Sequence, residues 1–386
     1  MSEYIPLSVP SLKGNEWKYL KECIDTEWVS SAGKYVGLFE NKVAQYTGSK
    51  YAVACVNGTS ALQISLYLAG VEPEDEVIVP SLTFIASVNA ISYNNAIPIF
   101  MDSDEYYNLD IDKTIDFINK NTLFKNGFTY NKTTKRKIAA IMPVHVWGNA
   151  VRLNELSKIC KKLNISIVED ASESLGTFYL NKSSHDKHTG RIGSVGCFSF
   201  NGNKIITTGG GGMIITDDSK LAEKAKYLTT QAKDDPVRYI HNEIGFNFRL
   251  TNVQAAIGVA QMEQLSKYLS KKKYKYKKYS NSINCIKGLE LANVPDYADN
   301  NHWMSLIRIN DQKFRINKEL LMVKLEKNGI QTRPVWALNH KQKPYKNHQN
   351  YKIDNAEVLV SSSLCLPSSV SLKDSEIDKI VRVLNG

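Results

Sequence analysis

No C-x-x-C pair occurs among the six cysteines; Cys23, Cys55, Cys160, Cys197, Cys285 and Cys365 lie far apart. A disulfide framework or a cysteine zinc site built on close pairs is therefore excluded. Cys55, Cys197 and Cys365 sit in apolar, strand-like contexts (ACV, GCF and LCL), the pattern of buried free thiols in a reducing compartment. No apolar stretch is long enough to span a bilayer, so no membrane association is expected. The start, MSEYIPLSVPSLKGNEW, has no basic segment leading into an apolar run. No secretory signal is expected, and the cytoplasm is the expected compartment. Wholesale disorder is excluded too, since 42% hydrophobic and 23% charged residues is ordinary globular composition.

Acidic residues are missing where the net charge of +10 is concentrated: Lys267 to Lys278 holds seven lysines and no Asp or Glu. Lysines interleaved with tyrosines suit a nucleic-acid or membrane surface. They equally suit a solvated helix with Tyr268, Tyr276 and Tyr279 turned inward and the lysines in water, which is the expectation here. HDKH (His185 to His188) has metal-type residues on a polar stretch, with no further ligand nearby; a surface loop is expected and no metal. The polar segment FKNGFTYNKTTKRK (124–137) also reads as a surface loop.

What the chain does have is alternation. YAVACV, EVIVP, PIFMD, IAAIMPVHV and ISIVED are unbroken apolar runs, each followed by a helical or turn segment. Such strands belong to a largely parallel sheet covered on both faces, and ligands then bind at the carboxyl ends of the strands. With 386 residues, one large and one smaller domain are expected. We place the large domain, with its N-terminal helical segment, at 1–265 and a small C-terminal α/β domain at 266–386. The helix 251–269 is expected to close the large domain. The N-terminal helix NEWKYLKECIDT is expected to lean on the small one.

The chemistry centres on SFNGNKIITTGGGG, Ser199 to Gly212. A phosphate loop of the G-x-x-x-x-G-K-[ST] type needs its lysine after the glycines, at a helix start. Lys204 precedes them, and the glycines lead into strand-like GMIITDD. A linker is excluded by the apolar segments GCFSF and MIIT on either side. The glycines are expected to let the backbone turn sharply and approach another part closely. Lys204 remains as a reactive amine, and a lysine that binds pyridoxal phosphate needs a carboxylate for the ring nitrogen, a phosphate site and a ring support. Asp170 ends the run ISIVED and supplies the carboxylate, although a helix N-cap would look the same. VNGTSAL turns at Gly58 into a helix starting at Thr59 and Ser60, whose free amides suit a phosphate. Phe84 follows EVIVP and could stack on the ring, or simply belong to the core.

These motifs resemble the pyridoxal-phosphate sugar aminotransferases of the DegT/DnrJ/EryC1/StrS group. The likeness runs through WVSSAGKYVGLFE, NGTSALQISL, PSLTFIAS, VHVWGNAVRL, VEDASESLG, FSFNGNKIITTGGGG, IGFNFRLTNVQAAIGVAQMEQL, TRPVWALNHKQKPY and LCLPSS. The resemblance implies the fold-type I aminotransferase architecture: a large domain with a mostly parallel central sheet and a smaller C-terminal α/β domain. It implies Lys204 as the Schiff-base lysine and proton shuttle, Asp170 at the pyridinium nitrogen, Phe84 on the ring and Glu173 at the 3-hydroxyl. Gly58, Thr59, Ser60 and Ser199 would surround the phosphate, with Asn247 reaching the cofactor of the neighbouring subunit. Arg249, His340 and Asn203 would contact the substrate, and His145 and His340 lie in motifs that either line the sugar pocket or serve structure. A homodimer with shared active sites follows, with L-glutamate as amino donor and pyridoxamine phosphate as the intermediate form of the cofactor.

Asn201-Gly202-Asn203 stands where many members have His-Pro. That form resembles the branch that aminates C4 of nucleotide-linked 4-keto-6-deoxy-N-acetylhexosamines, for bacillosamine or legionaminic acid type glycans. The branch with histidine for the lysine, which deoxygenates, does not match Lys204. A C3 aminotransferase or dehydratase on the same scaffold is the rival enzyme. A DNA-binding regulator is the rival from another class, and no reader motif supports it.

Overall fold

The computed structural model describes residues 4–181 and 184–386. Its main sheet has eight strands in the order Tyr51–Cys55, Gly212–Thr216, Val195–Ser199, Ser166–Asp170, Ile138–Ile141, Glu76–Pro80, Ile97–Met101 and Asn350–Tyr351. Only Gly212–Thr216 runs against its neighbours; the other pairings are parallel. EVIVP and IAAI are buried along their whole length, which is why they read as continuous apolar runs. Within Glu76–Pro80, Val77 and Val79 join one core, with Leu62, Val88 and Phe100. Ile78 faces the opposite way, into a second core with Phe117, Ile141 and Leu156. Each face of the sheet is thus closed by its own helices.

The expected strands form, although IAAIMPVHV is a strand only over Ile138–Ile141, and several local expectations do not hold. The helix expected at 251–269 runs as Asn252–Ile283, straight through the lysine-rich stretch and past the 265/266 position. Thr251 and Gln254 form a capping box at its start, and no Gly or Pro occurs from Val259 to Ile283 to end it. Tyr268 and Tyr279 do turn inward, yet Lys272 and Lys275 are buried with them, only 4% and 6% exposed. The stretch 124–137 contains a hairpin, Thr122–Lys125 with Phe128–Asn131, instead of a loop. HDKH lies in the strand Ser184–His188, paired with Phe178–Asn181. His185 bonds Asp299 at 2.8 Å, while His188 is buried and its Nε2 accepts the Gly176 amide at 2.8 Å. Burial pushes the His188 pKa down to about 4, so this imidazole is neutral and structural.

A four-stranded antiparallel sheet, Leu289–Leu291, Ser305–Ile309, Ser363–Leu366 and Arg333–Pro334, packs with Lys318–Lys327 and Asp374–Asn385 around Ile307, Leu325 and Ile377. The N-terminal helix Glu16–Asp25, expected to lean on the small domain, packs instead against the start of the long helix, with Cys23 buried against the Asn252 carbonyl. Residues nearer the N-terminus reach the small sheet instead, where Ile5 bridges Ile330. Asn350–Tyr351, inside the span expected for the small domain, forms an edge of the large sheet. Among the described residues no helix is long and apolar enough to cross a membrane.

Candidate active site

At the carboxyl ends of Tyr51–Cys55, Glu76–Pro80, Ser166–Asp170 and Val195–Ser199 lies a cavity of about 400 Å³. Gly58, Thr59, Phe84, Asp170, Glu173, Ser199, Asn203 and Lys204 all line it. Strand ends that lie far apart in sequence are brought together because the parallel strands all point one way.

Asp170, 3% exposed, is oriented at both oxygens: Ser87 Oγ donates to Oδ2 at 2.7 Å, and the Ser172 amide donates to Oδ1 at 3.0 Å. Lys204 Nζ lies 3.2 Å from Glu173 Oε1, and its side chain keeps 13% of its surface exposed. The other Glu173 oxygen accepts the Trp147 amide at 2.8 Å. Burial raises the Glu173 pKa, and the Lys204 ammonium only partly opposes it. Lys204 and the two buried carboxylates of Asp170 and Glu173 therefore line one cavity.

The helix Gly58–Leu68 opens at the cavity. Asn57 caps it by accepting the Ser60 amide at 2.8 Å, and Ser60 itself is buried and does not line the cavity. Gly58 and Thr59 remain at the mouth of that helix, beside Ser199. A Cβ on Gly58 would come within 2.8 Å of Ser199 Cβ, and one on Gly212 within 2.4 Å of the Asn57 carbonyl. This accounts for part of the glycine run: Gly209 turns with φ +81°, and Gly212 lets the strand return against the cap residue. A helix N-terminus lined by hydroxyls, an oriented buried carboxylate and an amine fit the phosphate, the ring nitrogen and the aldehyde of pyridoxal phosphate.

Phe84 is 53% exposed, and its ring lies 6.0 Å from that of Trp336. Three of the five tryptophans belong to this wall: Trp336 stacks on Trp147 at 4.0 Å and Trp147 on Trp303 at 5.8 Å. Trp147 and Trp336 sit in motifs quoted from the sequence, and Ser87 follows Phe84 by one helical turn. Those signals could have found them. Trp303, in NHWMSL, had none.

Asn247, Arg249 and His340 do not line the cavity of their own chain. Asn247 is exposed on a segment bridged to Thr230, Arg249 bridges Cys55, and His340 Nδ1 bonds Ser81 Oγ at 2.7 Å. His145 is fully buried; its Nδ1 accepts the Val151 amide, so Nε2 donates to Glu169 at 2.9 Å. Glu169 also takes the amides of Gly190, Ile192 and Gly193. Although burial works against it, His145 and these amides hold its pKa down. This hydrogen-bonded cluster braces the strand end behind Asp170.

A family model described as the DegT/DnrJ/EryC1/StrS aminotransferase family matches residues 10–385. The chain is 36% identical over 384 residues to a GDP-perosamine synthase of Caulobacter vibrioides, covering 99% of this chain and 97% of that protein. With a GDP-perosamine synthase of Escherichia coli O157:H7 it shares 37% over 385 residues, covering 99% and 98%. Among solved structures, a DegT DnrJ EryC1 StrS aminotransferase from Brucella abortus matches with a TM-score of 0.86 at 26% identity, over 96% of this chain and 94% of that one.

Proposed function

The chain belongs to the DegT/DnrJ/EryC1/StrS aminotransferase family, and from that membership we propose that it moves the amino group of L-glutamate onto C4 of a nucleotide-linked 4-keto-6-deoxyhexose. It is a nucleotide-sugar aminotransferase that uses pyridoxal phosphate. The observation that carries the reading is the meeting of Lys204, Asp170 and Glu173 in one cavity with the open N-terminus of Gly58–Leu68. The C4 position rests on the resemblance carried by Asn201-Gly202-Asn203, and a nucleotide-linked sugar draws support from the relatives named GDP-perosamine synthase. They favour a GDP-linked substrate over the N-acetylated sugars of bacillosamine or legionaminic acid type that Asn201-Gly202-Asn203 suggests.

When bound, the cofactor supplies an electron sink for the substrate carbon that loses its proton. The chain's own part is positioning and proton transfer. Gly58, Thr59 and Ser199 would hold the phosphate, Phe84 would cover the ring, and Asp170 would keep a proton on the ring nitrogen. Glu173 would bond the ring hydroxyl. Lys204 would bond the aldehyde and, once released, carry the proton, with Glu173 as its counter-charge. Asn203, at the cavity wall, would contact the substrate.

We propose a homodimer in which Asn247 and Arg249 complete the partner's site. Both lie away from their own cavity, and the neighbouring Val237, Tyr239 and Ile244 are 81%, 74% and 88% exposed. Buried thiols at Cys23, Cys55, Cys160, Cys197 and Cys365 support a reducing, cytoplasmic setting. The test is incubation with glutamate and a panel of GDP-, UDP- and dTDP-linked 4-keto sugars, with the product characterised by NMR. Amination at C4 is expected, and turnover of 3-keto sugars alone would refute the assignment. Mixing Lys204→Ala with Asn247→Ala protein should restore activity in hybrid dimers.

A further inference from the structure

Trp303 is fixed at four points. Its amide donates to Asn301 Oδ1 at 2.9 Å, its indole Nε1 donates to the Asn203 carbonyl at 2.7 Å, and its ring stacks on Trp147. Its carbonyl accepts from Lys272 Nζ at 2.8 Å. Lys204 Nζ lies over the indole, 4.3 Å from the ring centroid. Trp303 therefore grips the residue before Lys204 and, at the same time, offers its ring to the amine.

Among the described residues Lys272 has no carboxylate partner: its second acceptor is the Ser368 carbonyl, and Lys275 and His302 are the titratable groups bearing on it. Burying an ammonium against carbonyl dipoles alone is costly, and an apolar side chain of the same length would cost less. What the lysine adds is two fixed donor bonds, one of them to Trp303.

We propose that Trp303, clamped from behind by Lys272, is the positioning residue that holds the Lys204 amine beside Glu173 whenever that amine is not bonded to the cofactor. The idea rests on the reading of Lys204 given above. The clamp keeps the released lysine within reach of the substrate carbon, so its loss affects the proton-transfer step more than binding.

The test uses cofactor-free, reductively ¹³C-methylated protein, with the Lys204 signal assigned by its absence in Lys204→Arg. Ring current should displace that signal in the wild type. In Trp303→Leu and Lys272→Met it should move towards the positions of exposed lysines. In the loaded enzyme, kcat should fall about tenfold or more in Trp303→Leu, with KM for both substrates within about twofold. Lys272→Met should shift both readouts in the same direction by less, and Trp303→Phe, which keeps a ring, should recover most of the signal displacement. If Lys272→Met does not fold, Lys272→Gln, which keeps donor hydrogens, serves the same comparison. An unmoved Lys204 signal in both variants overturns the clamp. Full turnover by Lys204→Ala overturns the reading of Lys204 itself, which is a separate failure.

Discussion

Lys204 and Lys272 are both lysines largely withdrawn from water, yet their surroundings differ. Lys204 faces a carboxylate at 3.2 Å, an indole and a cavity. Lys272 faces two backbone carbonyls and does not line that cavity. Around Lys204 a carboxylate stands within ion-pair distance, and the cavity admits a partner for the amine. Around Lys272 burial acts without compensation and brings its pKa down to about 7. Burial of a lysine is therefore no sign of reactivity by itself; reactivity needs access and a group to exchange a proton with.

Removing Lys204 should produce the largest contrast. Lys204→Ala is expected to lower glutamate-dependent turnover by about 10³-fold or more, since covalent attachment and proton transfer are lost together. Lys272→Met should leave measurable turnover. The check is steady-state assay of both variants beside their thermal melts, and equal losses would erase the contrast. Next in size is the phosphate side of the cavity. Gly58→Ala would drive a methyl to within 2.8 Å of Ser199 Cβ at the mouth of the helix. Cofactor affinity should fall about tenfold, the equivalent of about 1.4 kcal/mol, read by equilibrium dialysis of the cofactor. Unchanged affinity would detach that helix start from the phosphate.

How much of this contrast was legible follows from which interactions are local. Lys204, Asp170 and Gly58 were found because each ends or follows an unbroken apolar run, and strand ends converge in a parallel sheet. The same alternation disclosed a largely parallel sheet but not the order of its strands. The antiparallel insertion of Gly212–Thr216 depends on a pairing with Tyr51–Cys55, more than 150 residues away. Lys272 and Lys275 were misplaced because helical spacing shows which residues share a face, not which groups wait opposite it. Their acceptors, the carbonyls of Trp303, Ser368 and Val370, belong to backbone that any sequence would supply. Trp303 was missed for the same reason: its value comes from Asn203, Asn301 and Lys272, all distant or unmarked.

A smaller effect tests the buried lysines through pH. Burial lowers Lys272 to about 7; Lys275 falls to about 8 through burial and Lys271, against Asp374 and Glu376. An unfolded lysine titrates near 10.4. Between these values the unfolded chain holds protons that the native protein has given up, so stability rises with pH from about 7 towards 10 and is lost as pH falls through 8 and 7. Each group contributes up to about 1.4 kcal/mol per pH unit in that window. Urea unfolding of the wild type from pH 6.5 to 9.5 should therefore steepen relative to Lys272→Met/Lys275→Met. Parallel profiles would mean that both amines keep ordinary pKa values.

The smallest effect completes the contrast within one helix. Lys277 lies two residues beyond Lys275, on the exposed face of Asn252–Ile283. It shares the composition that made the whole stretch look like a solvated or nucleic-acid-binding surface, but it has no buried acceptor to satisfy. Lys277→Gln exchanges one good helix former for another and removes a charge that water already solvates. Its unfolding free energy should stay within about 0.5 kcal/mol of the wild type, with an unchanged pH profile and unchanged turnover. A marked loss there would mean that the stretch acts as a charged surface after all. It would also mean that the division between Lys272 with Lys275 and their exposed neighbours is drawn in the wrong place.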